Sequence, residues 1–357
     1  MTPADGRVPT VSVLMPTLNE SSTVVAAVQS VLDQSFHDTE VLVVDGLSED
    51  GCADRVRELA AREPRVRLLE NPERLIPHAL NVGLAQARAR YVARVDAHAT
   101  ISGTYLERGV AALEADPDVA AVGGRRVGVA RTRTGRAIAA ALSSSFGVGD
   151  SINHYATEAQ DTDHASFGVF RAEAVRSVGG WDESLAVNED VDLDHRLQAC
   201  GHRIRFDPEM VINWRVRETL RDFGRQYRRY GRGKAAMVRK NGVRAVRPRH
   251  TAAPGLVLML GSAAVAGVSG RARAATALAV PYPAALALAV AWTTKSDTRH
   301  LSPLRLAGAF ATMHLAWGFG FLEGMTTRAA PTASSVRHRS TTRRVACSST
   351  STSGEAQ

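Results

Sequence analysis

Glu40-Val41-Leu42-Val43-Val44-Asp45-Gly46-Leu47-Ser48 is the stretch on which the fold turns. The run over Glu40–Val44 is too short for a helix, is rich in β-branched residues, and stops at Asp45-Gly46. It reads as a buried parallel strand that carries a carboxylate to its end. The same pattern extends outward. Val11–Met15 is a short apolar run closed by Pro16, and Ser21 or Ser22 offers a cap for a helix reaching about Leu32. Asp50–Arg62 reads as a helix, Val66–Leu69 as a strand, and Ile76–Ala89 as a helix with Pro77 in its first turn. Tyr91–Val95 is a fourth strand and ends at Asp96. Strands that alternate with helices and end in polar residues predict an α/β, doubly wound sheet. Its ligands belong beyond the carboxyl ends of the strands.

Past Asp96 the reading continues with a helix over Thr104–Glu114 and a strand over Val119–Val122. From Arg125 to Glu158 the pattern weakens, and small residues suggest a loop or a helix laid over the site. His164–Phe170 reads as strand, Glu173–Val178 and Asp190–Cys200 as helices, Ile204–Phe206 as strand, and Leu220–Lys240 as a strongly basic helix. Three apolar segments follow, Pro254–Ser269, Ala274–Thr293 and Leu304–Leu322. A span needs about 20 apolar residues. The second segment meets that length, the first is at its lower edge, and the third carries His314 and ends near Glu323. The expected organisation is an extension over 1–10, a catalytic domain over 11–245, and membrane-associated helices over 246–326 with two to three spans. A Ser/Thr/Arg-rich tail over 327–357, with little to bury, reads as disordered.

Composition excludes some classes. The net charge is +8, but only 5% of residues are aromatic and none alternate with the basic ones as in a base-stacking platform, so nucleic acid is not an expected partner. The three cysteines, Cys52, Cys200 and Cys347, form no CxxC pair and no zinc spacing, which fits a reducing cytosol. Met1–Thr10 has no apolar run, so the catalytic part is expected on the cytoplasmic side of the inner membrane.

Five constellations carry chemistry. Pro16-Thr17-Leu18-Asn19-Glu20 is a polar loop at the sheet edge, where a ligand site and a plain strand-to-helix turn are both open readings. Asp45, at its strand end, can accept from a base imide or ribose hydroxyls; a simple cap by Ser48 or Asp50 is the alternative for its loop. Arg94-Val95-Asp96-Ala97-His98 places Asp96 and His98 two apart, on one side of an extended backbone. A hard divalent ion there, Mn²⁺ or Mg²⁺, would neutralise a nucleotide-diphosphate leaving group. Asn188-Glu189-Asp190-Val191-Asp192 pairs carboxylates at a helix start, where one can deprotonate an acceptor hydroxyl; Asp190 is the expected base. Asp192 and Asp194 are expected to face elsewhere or bind arginines. Gln226, Arg229 and Tyr230 share a helix face that can meet a diphosphate or an acceptor chain. The remaining basic residues of that helix precede the apolar segments and suit anionic headgroups.

Taken in order, these motifs resemble the family 2 glycosyltransferases with a GT-A fold, and within them the bacterial exopolysaccharide, succinoglycan-biosynthesis type. The resemblance spans Val11 to about Lys234. It implies that Pro16, Thr17, Asn19, Glu20 and Asp45 line a uridine pocket. It matches Asp96 to the first aspartate of a DxD motif, with His98 in second place, and Glu189-Asp190 to an ED motif with Asp190 as base. Gln226, Arg229 and Tyr230 resemble QxxRW with Tyr for Trp, which points to single-sugar addition. The implied reaction is an inverting transfer from a nucleotide-diphosphate sugar, UDP preferred, to an acceptor hydroxyl such as that of a lipid-linked saccharide. A nicotinamide oxidoreductase would need G-x-G-x-x-G after the first strand, where this chain has Pro16-Thr17-Leu18-Asn19-Glu20. A non-catalytic nucleotide-sugar-binding scaffold is the alternative, against which intact Asp96 and Asp190 speak.

Overall fold

The structure, a computed structural model, describes residues 8–242, 246–296 and 301–327. The extension expected over 1–10 lies outside it as far as residue 7, and the expected tail lies outside it beyond Thr327.

The chain opens β1 (Val11–Thr17), α1 (Val24–Leu32), β2 (Thr39–Asp45), α2 (Cys52–Ala60), β3 (Val66–Glu70), α3 (Ile76–Gln86) and β4 (Tyr91–Arg94). It continues β5 (Ala99–Ile101), α4 (Tyr105–Ala115), β6 (Val119–Val129), α5 (Arg133–Leu142), α6 (Ser145–Val148), β7 (Gln160–Asp161), β8 (Val169–Arg171), α7 (Ala172–Ser177) and α8 (Glu189–Ala199). Then come β9 (Arg203–Arg215), α9 (Leu220–Asn241), α10 (Arg249–Val268), α11 (Ala272–Ala279), α12 (Pro281–Ser296) and α13 (Pro303–Thr326).

All seven residues of β1 and of β2 are buried, as continuous apolar runs covered on both faces require. The sheet order is β3-β2-β1-β4-β8-β6-β9-β5, with β7 paired to β9. The first four strands run parallel, so the ends of β1 and β2 stand side by side, with Thr17 opposite Asp45. β8 then joins antiparallel to both β4 and β6, which makes the sheet mixed. Core residues such as Val13, Val28, Val43 and Tyr91 lie on one side of the sheet, and Leu14, Leu42, Leu80 and Trp181 belong to a second cluster.

Several sequence expectations change. β6 runs on to Val129 and β9 covers thirteen residues, the two pairing with a bulge between Gly124 and Arg125. The strand expected from His164 begins only at Val169, because Phe167 takes φ 52° and turns the chain. The weak stretch after Arg125 holds α5, capped by the Thr132 hydroxyl, which accepts from Gly135 N–H. α1 starts at Val24 rather than from a cap by Ser21 or Ser22.

The third apolar segment is also different. α13 packs lengthwise against α9, and Leu306, Ala309, Phe310 and Met313 are buried. Close approach rests on glycine: a Cβ at Gly320 would stand 2.1 Å from the Arg228 carbonyl oxygen, and one at Gly231 2.2 Å from that of Trp317. Glu323 pairs with both Arg228 and Arg232. By contrast, Arg249–Val268 and Ala272–Lys295 are each long and apolar enough to cross a membrane, with mean hydropathy 1.7. Only 11% and 6% of the 18-residue apolar window in each is buried within the protein, and Val268, Leu288 and Trp292 are exposed. The second stretch is interrupted at Val280, ahead of Pro281, where a helical N–H is lost.

Candidate active site

The loops that leave β1, β2 and β4 are laced together at the carboxyl edge of the sheet. Asp45 accepts from the Ser48 amide at 2.8 Å and from its hydroxyl at 2.6 Å. Ser48 is therefore a holder of Asp45, while Gly51 stands at the N-cap position of α2. The Ser48 hydroxyl also accepts from the Asn19 amide (2.8 Å), and the Asn19 side-chain oxygen accepts from the Glu49 amide (2.9 Å). Asn19 sits at φ 56°, a left-handed conformation that asparagine tolerates. Thr17 places its hydroxyl 3.3 Å from the buried Cys52 thiol. Pro16 pairs across to Val44 in the strand register. Thus Pro16, Thr17, Asn19 and Asp45 belong to one double loop.

Glu20 extends that loop toward the end of β4. One of its oxygens accepts from the Thr23 hydroxyl (2.9 Å); the other lies 3.2 Å from His98 Nδ1. Burial pushes the His98 pKa down, but the Glu20 hydrogen bond and the Asp96 charge outweigh it and raise it.

Arg94 is the centre of the next layer, and it carried no role in the sequence reading. Arg94 and Asp96 are two apart and point the same way, which was the available signal. The Arg94 guanidinium donates to Asp96 from Nε (2.8 Å) and Nη2 (3.3 Å), and to Glu189 from Nη1 (3.0 Å). The same Nη1 lies 4.0 Å from Asp190. Burial opposes the Arg94 charge, but the surrounding carboxylates outweigh it and raise its pKa well above the ordinary value. Burial likewise pushes Asp96 up, and Arg94 more than reverses this. One buried cation therefore ties the end of β4 to the start of α8, two places 95 residues apart.

Glu189 and Asp190 differ in access. The Glu189 side chain is 6% exposed and bound to Arg94, whereas that of Asp190 is 35% exposed. Burial and then the adjacent Asp190 charge raise the Glu189 pKa. Burial pushes Asp190 up too, but His164 and then Arg94 bring it below its ordinary value. Glu189 is thus the buried, Arg94-bound carboxylate, and Asp190 is the more accessible one, favoured in its ionised form by His164 and Arg94. Asp192 pairs with Arg196 as expected of it (2.8 Å), but Asp194 meets a histidine, His164, at 2.6 Å. Neither His164 nor Asp194 was assigned to the site from sequence.

α9 closes the far side. The Asn188 amide donates to the Tyr230 carbonyl (3.4 Å), and Gly233 lies against Val187 and Asn188. Gln226 donates to the Tyr230 hydroxyl (2.9 Å), while Arg229 is exposed. The helix thereby reaches the start of α8 next to Asp190.

As to metal, no group of three or more His, Cys, Asp or Glu among the described residues forms a complete ligand set. The donors at hand are the Asp96 carboxylate and the His98 ring, whose Nδ1 already faces Glu20. That is a partial set of the kind a divalent ion completes with phosphate oxygens. The residues fit an ion that arrives with a diphosphate.

Known proteins bear on this arrangement. The family model described as glycosyl transferase family 2 matches residues 12–179. The succinoglycan biosynthesis protein ExoA of Rhizobium meliloti (strain 1021) is 33% identical over 319 residues, covering 87% of this chain and 93% of that protein. A pre-mycofactocin glycosyltransferase of Mycobacterium tuberculosis (strain CDC 1551 / Oshkosh) is 31% identical over 234 residues, 63% of this chain and 47% of that one. Among solved structures, the mannosyltransferase PcManGT from Pyrobaculum calidifontis, in complex with GDP-Man and Mn²⁺, superposes with a TM-score of 0.59. It is 26% identical and covers 86% of this chain and 87% of that chain.

Proposed function

Since the chain belongs to glycosyl transferase family 2, we propose that it moves a sugar from a nucleotide-diphosphate donor to a hydroxyl of a lipid-linked saccharide, with inversion at the anomeric carbon. It is a glycosyltransferase of polysaccharide synthesis, of the exopolysaccharide group, on a GT-A fold. The observation that carries the finer reading is the Arg94 bridge, which holds Asp96 and the Glu189-Asp190 pair in one site.

Pro16, Thr17, Asn19, Glu20 and Asp45 form the nucleoside pocket in this reading. Both Asp45 oxygens accept from Ser48, yet each keeps a lone pair for a base imide or ribose hydroxyl. A Mn²⁺ or Mg²⁺ ion at Asp96 and His98, joined by the donor phosphates, would supply charge neutralisation for the departing diphosphate. Asp190, ionised and half-exposed, takes the proton of the acceptor hydroxyl. The oxygen so freed attacks the anomeric carbon as the bond to the diphosphate breaks. A single displacement inverts configuration. Glu189, the other catalytic carboxylate in this reading, acts by holding Arg94. Gln226, Arg229 and Tyr230 meet the acceptor or the diphosphate, and Tyr in place of Trp favours single-sugar addition.

The two apolar stretches anchor the protein in the inner membrane, with the catalytic domain on the cytoplasmic side. Other exposed basic residues of α9, such as Arg221 and Arg239, suit anionic headgroups there. The test is a screen of UDP- and GDP-sugars for transfer on membranes that contain the protein, with and without Mn²⁺. The PcManGT complex makes GDP-mannose a required arm. Expected is a metal-stimulated, anomer-inverted product with one donor class, abolished in Asp190→Asn while donor binding survives. Transfer by Asp190→Asn at the parental rate would refute the base assignment.

A further inference from the structure

His164 lies in the connection between β7 and β8, with a side chain 14% exposed. Its Nδ1 stands 2.6 Å from Asp194 Oδ2 and its Nε2 stands 3.7 Å from Asp190 Oδ2. Asp190 and Asp194 are one helical turn apart on α8, so they present the same face and the ring fits between them. Asp194 is 1% exposed, and the same Oδ2 also accepts from the Ala165 amide at 3.0 Å. Its Oδ1 is buried with no hydrogen-bond partner among the described residues. A buried carboxylate left half-satisfied costs stability. What it obtains here is a fixed imidazole.

We propose that His164, clamped by Asp194, is a positioning residue that orients the Asp190 carboxylate and holds it in its ionised, proton-accepting form. The proposal rests on the reading of Asp190 as base. Two neighbours favour a neutral Asp190, namely the buried surroundings and Glu189. Arg94 opposes them, but its close hydrogen bonds go to Asp96 and Glu189, and it stands 4.0 Å from Asp190. His164 is the other close cation. Arg126 from β6 acts in the same sense more weakly, and Lys234 on α9 also feels the Asp190 charge. Around His164 itself, burial lowers its pKa, but the Asp194 hydrogen bond and the charges of Asp190 and Asp163 outweigh it and raise it. His154, the remaining titratable group facing it, is kept neutral by burial. In the reaction, the acceptor O–H breaks, the proton ends on Asp190, and His164 keeps both ring protons.

The experiment is the pH profile of kcat for His164→Asn and His164→Gln, with nucleotide affinity measured on the same samples. Asn retains a donor toward Asp194 and Gln one toward Asp190, but neither carries charge. The acid limb should move up by about 1–3 pH units, the range for removal of an opposite charge within a few ångströms. That is roughly a tenfold loss per unit at a pH below the new limb, with recovery at alkaline pH and unchanged nucleotide affinity. An equal loss at every pH would mean a packing role only and overturns the proposal. Should the variants not fold, ¹⁵N-histidine NMR of the unaltered protein decides: the ring should stay doubly protonated above pH 6.5, the ordinary midpoint, and a neutral ring there overturns it. A flat profile alongside an inactive Asp190→Asn removes this proposal alone. An active Asp190→Asn removes the base reading beneath it.

Discussion

Arg94→Met is the perturbation that the bridge makes most informative. It leaves the side-chain volume nearly unchanged but strands Asp96 and Glu189, whose side chains are 12% and 6% exposed. Breaking a buried ion pair by removal of one partner costs about 3–5 kcal/mol. Asp190, at 35% exposure, is solvated enough to leave out of that sum. For a domain of this size a kcal/mol is worth about 2–4 °C in Tm, so the fall is on the order of 10 °C near pH 8. The pH dependence fixes the cause. In the parent, Asp96 titrates below its ordinary value, so its contribution is present above the unfolded pKa and lost as pH falls through the folded one. In the variant Asp96 joins Glu189 in titrating above its unfolded value. The penalty should then be largest at and above neutrality and shrink as pH falls, first as the variant's carboxyls take up protons and then, below the ordinary carboxylate range, as the parent's Asp96 does. Thermal unfolding of detergent-solubilised protein at several pH values measures this. A variant that melts within about 2 °C of the parent at pH 8, less than one kcal/mol on that scale, would show that Arg94 does not hold the site together.

Other outcomes follow from the same geometry. Asp45→Asn replaces one acceptor oxygen by a donor and should weaken UDP binding by roughly ten- to a hundredfold, read by calorimetry, since loss of one hydrogen bond to a charged group is worth about 1.5–3 kcal/mol. Asp96→Ala should remove the Mn²⁺ dependence of UDP binding; an unchanged titration with the metal would contradict its place in the ion site. Gly320→Val drives a side chain into the Arg228 backbone and should separate α13 from α9. Overpacking of that kind costs about 1–3 kcal/mol, visible as a lower melting temperature of the catalytic domain.

The strands that deliver Asp45 and Asp96 were legible because each is short, buried and largely apolar, with Arg94 the one break in Tyr91–Val95, and leads to its acidic residue. The ordering of β8 between β4 and β6 was not legible. Nor was the length of β9, where buried Ile204, Phe206, Met210, Ile212 and Trp214 are separated by charged residues, Val211 and Asn213, with Pro208 and a bulge interrupting the run. α13 shows the limit of hydropathy. It is long enough to span but carries Arg305, His314 and Glu323 and is not among the helices apolar enough to cross, and it packs through Gly318, Gly320 and Gly324 against other backbones. In the candidate site, motif order singled out the carboxylates. Their cationic partners Arg94 and His164 were not, because each is defined by a contact across the fold that no local pattern encodes.

The most direct test of the account is a structure of Asp190→Asn bound to UDP and Mn²⁺, in which turnover is blocked and the ligand stays in place. The account predicts the nucleoside against Asp45 and the loop from Pro16 to Glu20, the ion between Asp96, His98 and the phosphates, and residue 190 facing the sugar side of the diphosphate. A nucleotide bound away from the ends of β1, β2 and β4, or with residue 190 turned toward a separate cavity, would contradict it.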